Sequence, residues 1–338
     1  TQDQHTGVYA GAGAGKTAFF LYPNLEYACA CGMSFFTTDT KGDLYRNYGY
    51  IAKEYYGYNV SVLDLRNPTI SNGNNILQPV NKYMDIYKDT GDISAKAKAE
   101  KYAALIAKNI ISSDTSANYG ANSYFYDSAN GLLTATILLV SEFGIEGERH
   151  IPSVFTLLTE LLEMVQDGNR AVLKYSKVIK LLPLEHRARL FAIAAVTGSD
   201  NTTLSVLTTA LSKLTGFLDS EIEQILCFEN DIDVEKVCKE KSALFVVLPE
   251  EDTTKYFLVS LLLQQFYREC LIYADSIGGK LKNRVMFYLD EIGTIPKIAG
   301  LDMMFSASRS RNIFIVPIMQ SPSQMADTYG AENAKTIN

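Results

Sequence analysis

Two textures of apolar and polar positions alternate along the chain. Short, almost continuously apolar runs occupy Gly7–Tyr9, Ser34–Thr37, Val60–Leu65, Ala243–Leu248, Val285–Leu289 and Ile313–Met319. Runs of this length without polar alternation predict strands of a parallel sheet covered on both faces. Helical segments separate several of them, so the pattern predicts an α/β fold. Between about Pro79 and Phe228 no run reads as a strand. Apolar residues there recur at helical spacing, predicting helices over Ile93–Ile111, Ser123–Phe143, Ser153–Val165, Asn169–Leu182, Glu185–Val196 and Thr202–Leu218. Ser153, after Pro152, is a candidate N-cap, because its hydroxyl can accept from a free first-turn amide. The simplest organisation is an α/β domain built from residues 1–78 and 229–338, interrupted by an inserted all-α domain over 79–228. No internal repeat or low-complexity segment is visible. The chain starts almost on its first strand and stops soon after a late one, so it reads as a piece of something longer.

Composition narrows the class. With 338 residues the chain has room for two domains, or one large domain with an insertion. Hydrophobic residues at 47% and charged residues at 20% exclude an intrinsically disordered protein. A net charge of −7 argues against a protein that coats nucleic acid, but leaves room for a local basic strip. Cys29 and Cys31 form a C-x-C, and Cys227, Cys238 and Cys270 are scattered, with neither metal nor redox spacing. That fits reduced cytosolic thiols. The longest apolar runs, Leu132–Val140 and Phe257–Leu263, are too short to cross a bilayer, and no signal peptide is visible.

The strongest candidate chemistry lies at Ala10–Thr17, Ala-Gly-Ala-Gly-Ala-Gly-Lys-Thr, between a short strand and a helix that begins near Gly15. Helix N-terminal amides and the helix dipole favour an anion at such a junction. Gly11, Gly13, Ala14 and Gly15 let the backbone wrap a phosphate, Lys16 can reach the outer phosphates, and Thr17 can ligate Mg²⁺. The usual loop pattern begins with glycine where this chain has Ala10; a methyl group is tolerable there if φ stays negative. The competing reading is a small-residue turn with an incidental Gly-Lys-Thr.

Two further strands end in chemistry. Val285–Leu289 runs into Asp290, placed to hold the metal, and Glu291, placed to deprotonate water; the alternative is an acidic strand end that caps a loop. Ile313–Met319 ends in Gln320, whose amide can bond both a γ-phosphate and the attacking water. Arg309 and Arg311 precede this strand, at the opposite edge of the sheet from Gln320. In a ring, one of them can enter a neighbour's site; without a ring, a solvated basic loop explains them.

Taken together, these segments resemble the cytoplasmic motor of type IV secretion coupling proteins, the ATPases of bacterial conjugation. The resemblance is carried by His5–Leu25, Phe35–Tyr48 (with Asp39-Thr40-Lys41-Gly42-Asp43-Leu44), Val60–Pro68, Ala243–Cys270, Val285–Ile298 and Ser308–Gly330. It covers roughly Thr1–Pro68 and Ser242–Asn338; the helical stretch matches by position and texture. The resemblance implies a RecA-like domain interrupted by an all-α domain, with the glutamine strand between the phosphate-loop and carboxylate strands. It implies ATP and Mg²⁺ as ligands, a hexameric ring around a channel, and an arginine finger at Arg309 with Arg311 the close competitor. It also implies DNA, relaxase, accessory proteins and secretion-channel components as partners. Residence at the cytoplasmic face of the bacterial membrane follows, anchored by segments this chain does not show. Ala10 and the missing membrane segment depart from the family pattern.

Asp39, Lys41, Gly42 and Asp43 help to identify the family, but a turn at a strand exit explains them equally well. In the helical stretch, Arg170, Lys174 and Lys177 recur at i, i+4 and i+7, followed by Lys180, Arg187 and Arg189. That predicts one cationic helix face, able to meet DNA phosphates or an acidic protein, or simply solvated. The leading function is an ATP-driven DNA pump. The alternatives are a nucleotide-gated recruitment platform, a chromosome-segregation or repair pump on the same core, and, least favoured, a P-loop kinase.

Overall fold

The computed structural model describes residues 5–11, 13–112, 123–227, 231–249, 253–298 and 300–330. The chain divides into two compact units, Thr1–Asn72 with Asp231–Asn338, and Gly73–Asn230. The boundary expected at 228–229 lies outside the described residues. Eight strands occur among the described residues: β1 Val8–Tyr9, β2 Ser34–Asp39, β3 Asn59–Asp64, β4 Met164–Asp167, β5 Arg170–Leu173, β6 Ser242–Val247, β7 Val285–Leu289 and β8 Ile313–Met319.

The first unit is built on a six-stranded sheet in the order β1-β8-β7-β2-β6-β3. Every pairing in it is parallel. All residues of β2, β6 and β8 are buried, as their unbroken apolar texture requires. Adjacent phenylalanines show the two covered faces, because successive strand side chains point to opposite sides. Phe35 packs against Tyr58, Phe245 and Tyr288 in a core that includes Leu21 and Leu25 from the helix after the phosphate loop. Phe36 faces the other way, onto Phe287 and onto Phe266 of the helix Tyr256–Ser276. With all strands parallel, their C-terminal ends share one edge, where α/β sheets bind ligands. Ala10, Asp39, Asp64, Asp290 and Gln320 follow or end strands along that edge.

The second unit is helical around Ser123–Phe143, whose stretch Leu132–Ser141 is buried throughout. The helix Arg187–Val196 passes it closely: a Cβ at Gly131 would lie 2.5 Å from the Phe191 carbonyl oxygen, so only glycine fits. Ile93–Ile111 and Ser123–Phe143 form over the expected bounds. Helices Gln78–Thr90, Ser220–Leu226 and, in the first unit, Val234–Lys239 were not expected. The latter two start at Asp219 and Asp233, each accepting two first-turn amides.

Three local expectations are corrected. Where the helices Ser153–Val165 and Asn169–Leu182 were expected to end and begin, the chain forms an antiparallel hairpin, β4–β5, closed by the two residues Gly168 and Asn169. Gly168 has φ +63°, which suits a tight hairpin turn. Arg170 therefore lies on a strand while Lys174 opens the helix Lys174–Leu181, and the i, i+4, i+7 cationic face does not exist. Finally, His150 rather than Ser153 caps the helix Ile151–Glu160, its Nδ1 accepting from the Ser153 amide at 3.3 Å.

Candidate nucleotide site

The phosphate loop leaves the sheet without breaking register. The Ala10 amide donates to the Met319 carbonyl at 3.1 Å, extending the β1–β8 pairing by one residue. Among the described residues, the non-glycines with positive φ are Glu291 and Asn312, so Ala10 meets its condition of negative φ. Gly13 and Gly15 have φ +75° and +82°, conformations that side chains resist. The Ala14 amide turns back to the Gly11 carbonyl at 3.2 Å. Gly15 then caps a π-helical turn, Lys16–Leu21, that runs directly into the α-helix Tyr22–Ala30.

The carboxylate strand meets this loop. Lys16 Nζ donates to Glu291 Oε1 at 2.7 Å, with side chains only 10% and 19% exposed. Gln320 Nε2 donates to the other oxygen, Oε2, at 3.4 Å. Lys16, Glu291 and Gln320, drawn from three elements, thus form one hydrogen-bonded group. The order β1-β8-β7 is what brings them together. Glu291 sits at φ +51°, a left-handed backbone that costs a non-glycine residue about 1–3 kcal/mol. Its carbonyl accepts from the Thr294 amide at 2.9 Å and opens a short 3₁₀ turn.

Asp290 is buried, and its Oδ1 has no hydrogen-bond partner among the described residues. Burial, reinforced by the neighbouring Glu291 charge, raises its pKa from 3.8 to about 6 against the opposing pull of Lys16. Its carbonyl is fixed by the Thr38 hydroxyl at 2.9 Å. Thr17 lies half-buried in the loop's first helical turn.

Other singled-out residues fall elsewhere. Arg309 and Arg311 occupy a 3₁₀ turn that precedes β8, remote along the strand from Gln320. Arg311 is tied to Asp275 at 3.3 Å and to the Ala307 carbonyl at 3.2 Å. Arg309 is exposed and forms no ion pair among the described residues. Lys174 and Lys177 pair with Glu163 at 3.1 Å and Asp167 at 3.5 Å. Glu163, just before the hairpin, and Asp167, on its first strand, thus answer these two lysines.

Asp39 is the positioning residue that the sequence left unexplained. Its buried carboxylate accepts the Tyr45 amide at 2.9 Å and those of Lys41, Gly42 and Leu44. Desolvation still raises its pKa, against the pull of these amides. Across the turn, Arg66 donates to the carbonyls of Thr40, Lys41 and Leu248. In sequence, an Asp three residues before a Gly signals only a turn; Gly42 takes φ +72° at the helix start.

A glycine-bounded loop with Lys-Thr, set beside an Asp-Glu strand end on a parallel sheet, defines a P-loop protein of RecA-like fold with a helical insertion. The chain belongs to the family of type IV secretion coupling proteins: the family described as type IV secretory system conjugative DNA transfer matches residues 1–338. The type IV secretion system-coupling protein VirD4 of Bartonella quintana is 23% identical over 274 residues, 80% of this chain and 40% of its own length. The plasmid coupling protein TrwB, solved with the non-hydrolysable ATP analogue ADPNP, superposes with a TM-score of 0.63. It is 17% identical, and the match covers 99% of this chain and 68% of TrwB. TrwB with ADP and Mg²⁺ gives a TM-score of 0.60 at 16% identity, with the same coverages of 99% and 68%. The chain spans less than half the length of the VirD4 relative it matches. Among the described residues, no helix is long and apolar enough to cross a membrane.

Proposed function

We propose that this chain is the ATP-hydrolysing part of a coupling protein. In this reading, hydrolysis drives DNA, or a DNA–relaxase complex, toward a type IV secretion channel at the cytoplasmic face of the bacterial membrane. The observation that carries it is the group formed by Lys16, Glu291 and Gln320 at the phosphate loop, next to the unpartnered Asp290 oxygen. The VirD4 and TrwB likenesses support the transport role.

The residues divide the chemistry among themselves. Loop amides at Gly11–Gly15 and the helix dipole receive the phosphates, and Lys16 neutralises their outer charge. Thr17 and Asp290 would hold Mg²⁺, which when bound neutralises charge on the phosphate oxygens. A cation fits there, because it would satisfy the orphaned Oδ1 and keep a buried carboxylate ionised. Glu291 engages Lys16 until phosphate competes for that lysine; once released, the carboxylate can take the proton of the attacking water. Gln320, already a donor to Glu291, orients that carboxylate and the water.

The two units serve as a discontinuous nucleotide-binding domain and an inserted helical domain. Arg309 serves a neighbouring subunit in a hexameric ring, because it is exposed and has no ion pair among the described residues, whereas Arg311 is held by Asp275. DNA contact is not assigned to Arg170, Lys174 and Lys177, whose charges do not share one helix face.

The test is ATP turnover with Mg²⁺, with and without DNA, in wild type and Lys16→Ala. Turnover should rise with DNA and vanish in the variant together with tight ATP binding. Tight binding without turnover in either condition would identify a nucleotide-gated recruitment platform instead.

A further inference from the structure

The segment after the phosphate loop reads Ala18-Phe19-Phe20-Leu21, and its apolar residues part company. Leu21 is fully buried, and Phe20 packs against the same core. Phe19 is 84% exposed. A solvent-facing phenylalanine just ahead of two inward-facing apolar residues gains little by burial, which leaves its ring free to meet a partner at the loop.

Its position is specific. The ring lies over Gly15: a Cβ at that glycine would sit 2.6 Å from Phe19 Cδ2 and 2.8 Å from Cε2. The last loop glycine therefore serves two ends, a left-handed backbone and room for the ring. The turn that carries Phe19 is π-helical over Lys16–Leu21, a winding that recurs at functional sites. The Phe19 amide donates to the Gly15 carbonyl at 2.8 Å, and the Asn24 side chain donates to the Phe20 carbonyl at 2.8 Å. Backbone bonds thus hold the ring beside the loop, one helical turn past the glycine that caps it.

A nucleotide whose phosphates occupy this loop must place its base within one sugar length of the phosphate cradle. A base excluded from a hydrogen-bonding pocket gains most from a flat apolar surface, and stacking does not depend on base identity. We propose that Phe19 is the stacking platform for the nucleobase, so that the site takes purine nucleoside triphosphates with little choice between adenine and guanine. This rests on the nucleotide-hydrolysing reading above.

The chain contains no tryptophan, so Phe19→Trp introduces a single indole reporter at the ring position. ATP, GTP and inorganic tripolyphosphate are titrated with Mg²⁺ into wild type, Phe19→Ala, Phe19→Trp and Lys16→Ala by calorimetry. Phe19→Ala should bind ATP and GTP about tenfold more weakly while binding tripolyphosphate as wild type does. Phe19→Trp should keep ATP affinity, with indole emission quenched by ATP and not by tripolyphosphate. Unchanged ATP affinity in Phe19→Ala, or an equal loss for ATP and tripolyphosphate, overturns the platform. If Phe19→Ala instead abolishes self-association in sedimentation at unchanged ATP affinity, the ring belongs to a contact between copies and the proposal fails. Failure of the underlying reading looks different: wild type binds none of the three ligands, or Lys16→Ala binds all of them normally.

Discussion

Asp290 is a carboxylate that the nucleotide-free fold would hold more easily uncharged, and replacing it by asparagine should separate stability from function. The raised pKa sets the sign. Protonation favours the fold, so the cost of the charged form is fully expressed above about pH 6 and fades as pH falls toward 3.8. The shift from 3.8 to about 6 is about 2 pH units, which at 1.36 kcal/mol per unit is about 3 kcal/mol. The asparagine amide must itself be desolvated, which leaves a net gain of about 2 kcal/mol at about pH 7.5 and under about 1 kcal/mol near pH 4. Hydrogen exchange of peptides covering β2 and β7, without nucleotide or Mg²⁺, reads this locally. Asp290→Asn should slow exchange about 30-fold relative to wild type at the higher pH, with the two nearly equal at the lower. The same variant should lose most of the Mg²⁺ dependence of ATP binding. Faster exchange in Asp290→Asn at neutral pH would show that the carboxylate stabilises the fold, and the argument from its orphaned oxygen would collapse.

Two further outcomes follow from the same geometry. Replacing Lys174 and Lys177 by Glu should leave the salt slope of DNA binding unchanged, because each lysine already answers a carboxylate, Glu163 or Asp167; a slope reduced by about 2 would return these residues to the DNA surface. Arg309→Ala should lower turnover by about 10³-fold or more only in assembled subunits, and mixing it with Lys16→Ala subunits should restore part of the activity. Mixed rings as inactive as either variant alone would end the trans role of Arg309.

How much could be read in advance depended on the range of the interactions. β2, β6 and β8 were legible because burial on both faces leaves an unbroken apolar run. The hairpin escaped because its apolar residues continue the spacing of the preceding helix, while its turn rests on two residues, Gly168 and Asn169. The loop glycines and the Asp290-Glu291 pair are local motifs and could be read directly. The Lys16–Glu291 bond spans 275 positions and exists only because β8 alone separates β1 from β7. The role of Asp39 required the fold as well, since the polar residues around it in sequence give no hint that the carboxylate is buried under backbone amides. Ala10 turned on one backbone angle, which no residue type states.

In the proposed cycle Glu291 restrains Lys16 at rest and accepts the water proton during hydrolysis. Measuring ATP affinity and single-turnover hydrolysis side by side in Glu291→Gln tests both halves. With the ion pair gone, Lys16 is free before ATP arrives; a partly buried charge-assisted bond of about 1.5–3 kcal/mol, partly replaced by the amide, leaves binding about tenfold tighter. Hydrolysis should fall by about 10²–10⁴-fold, since an amide cannot take a proton. ATP bound more weakly and hydrolysed at the wild-type rate would contradict both roles.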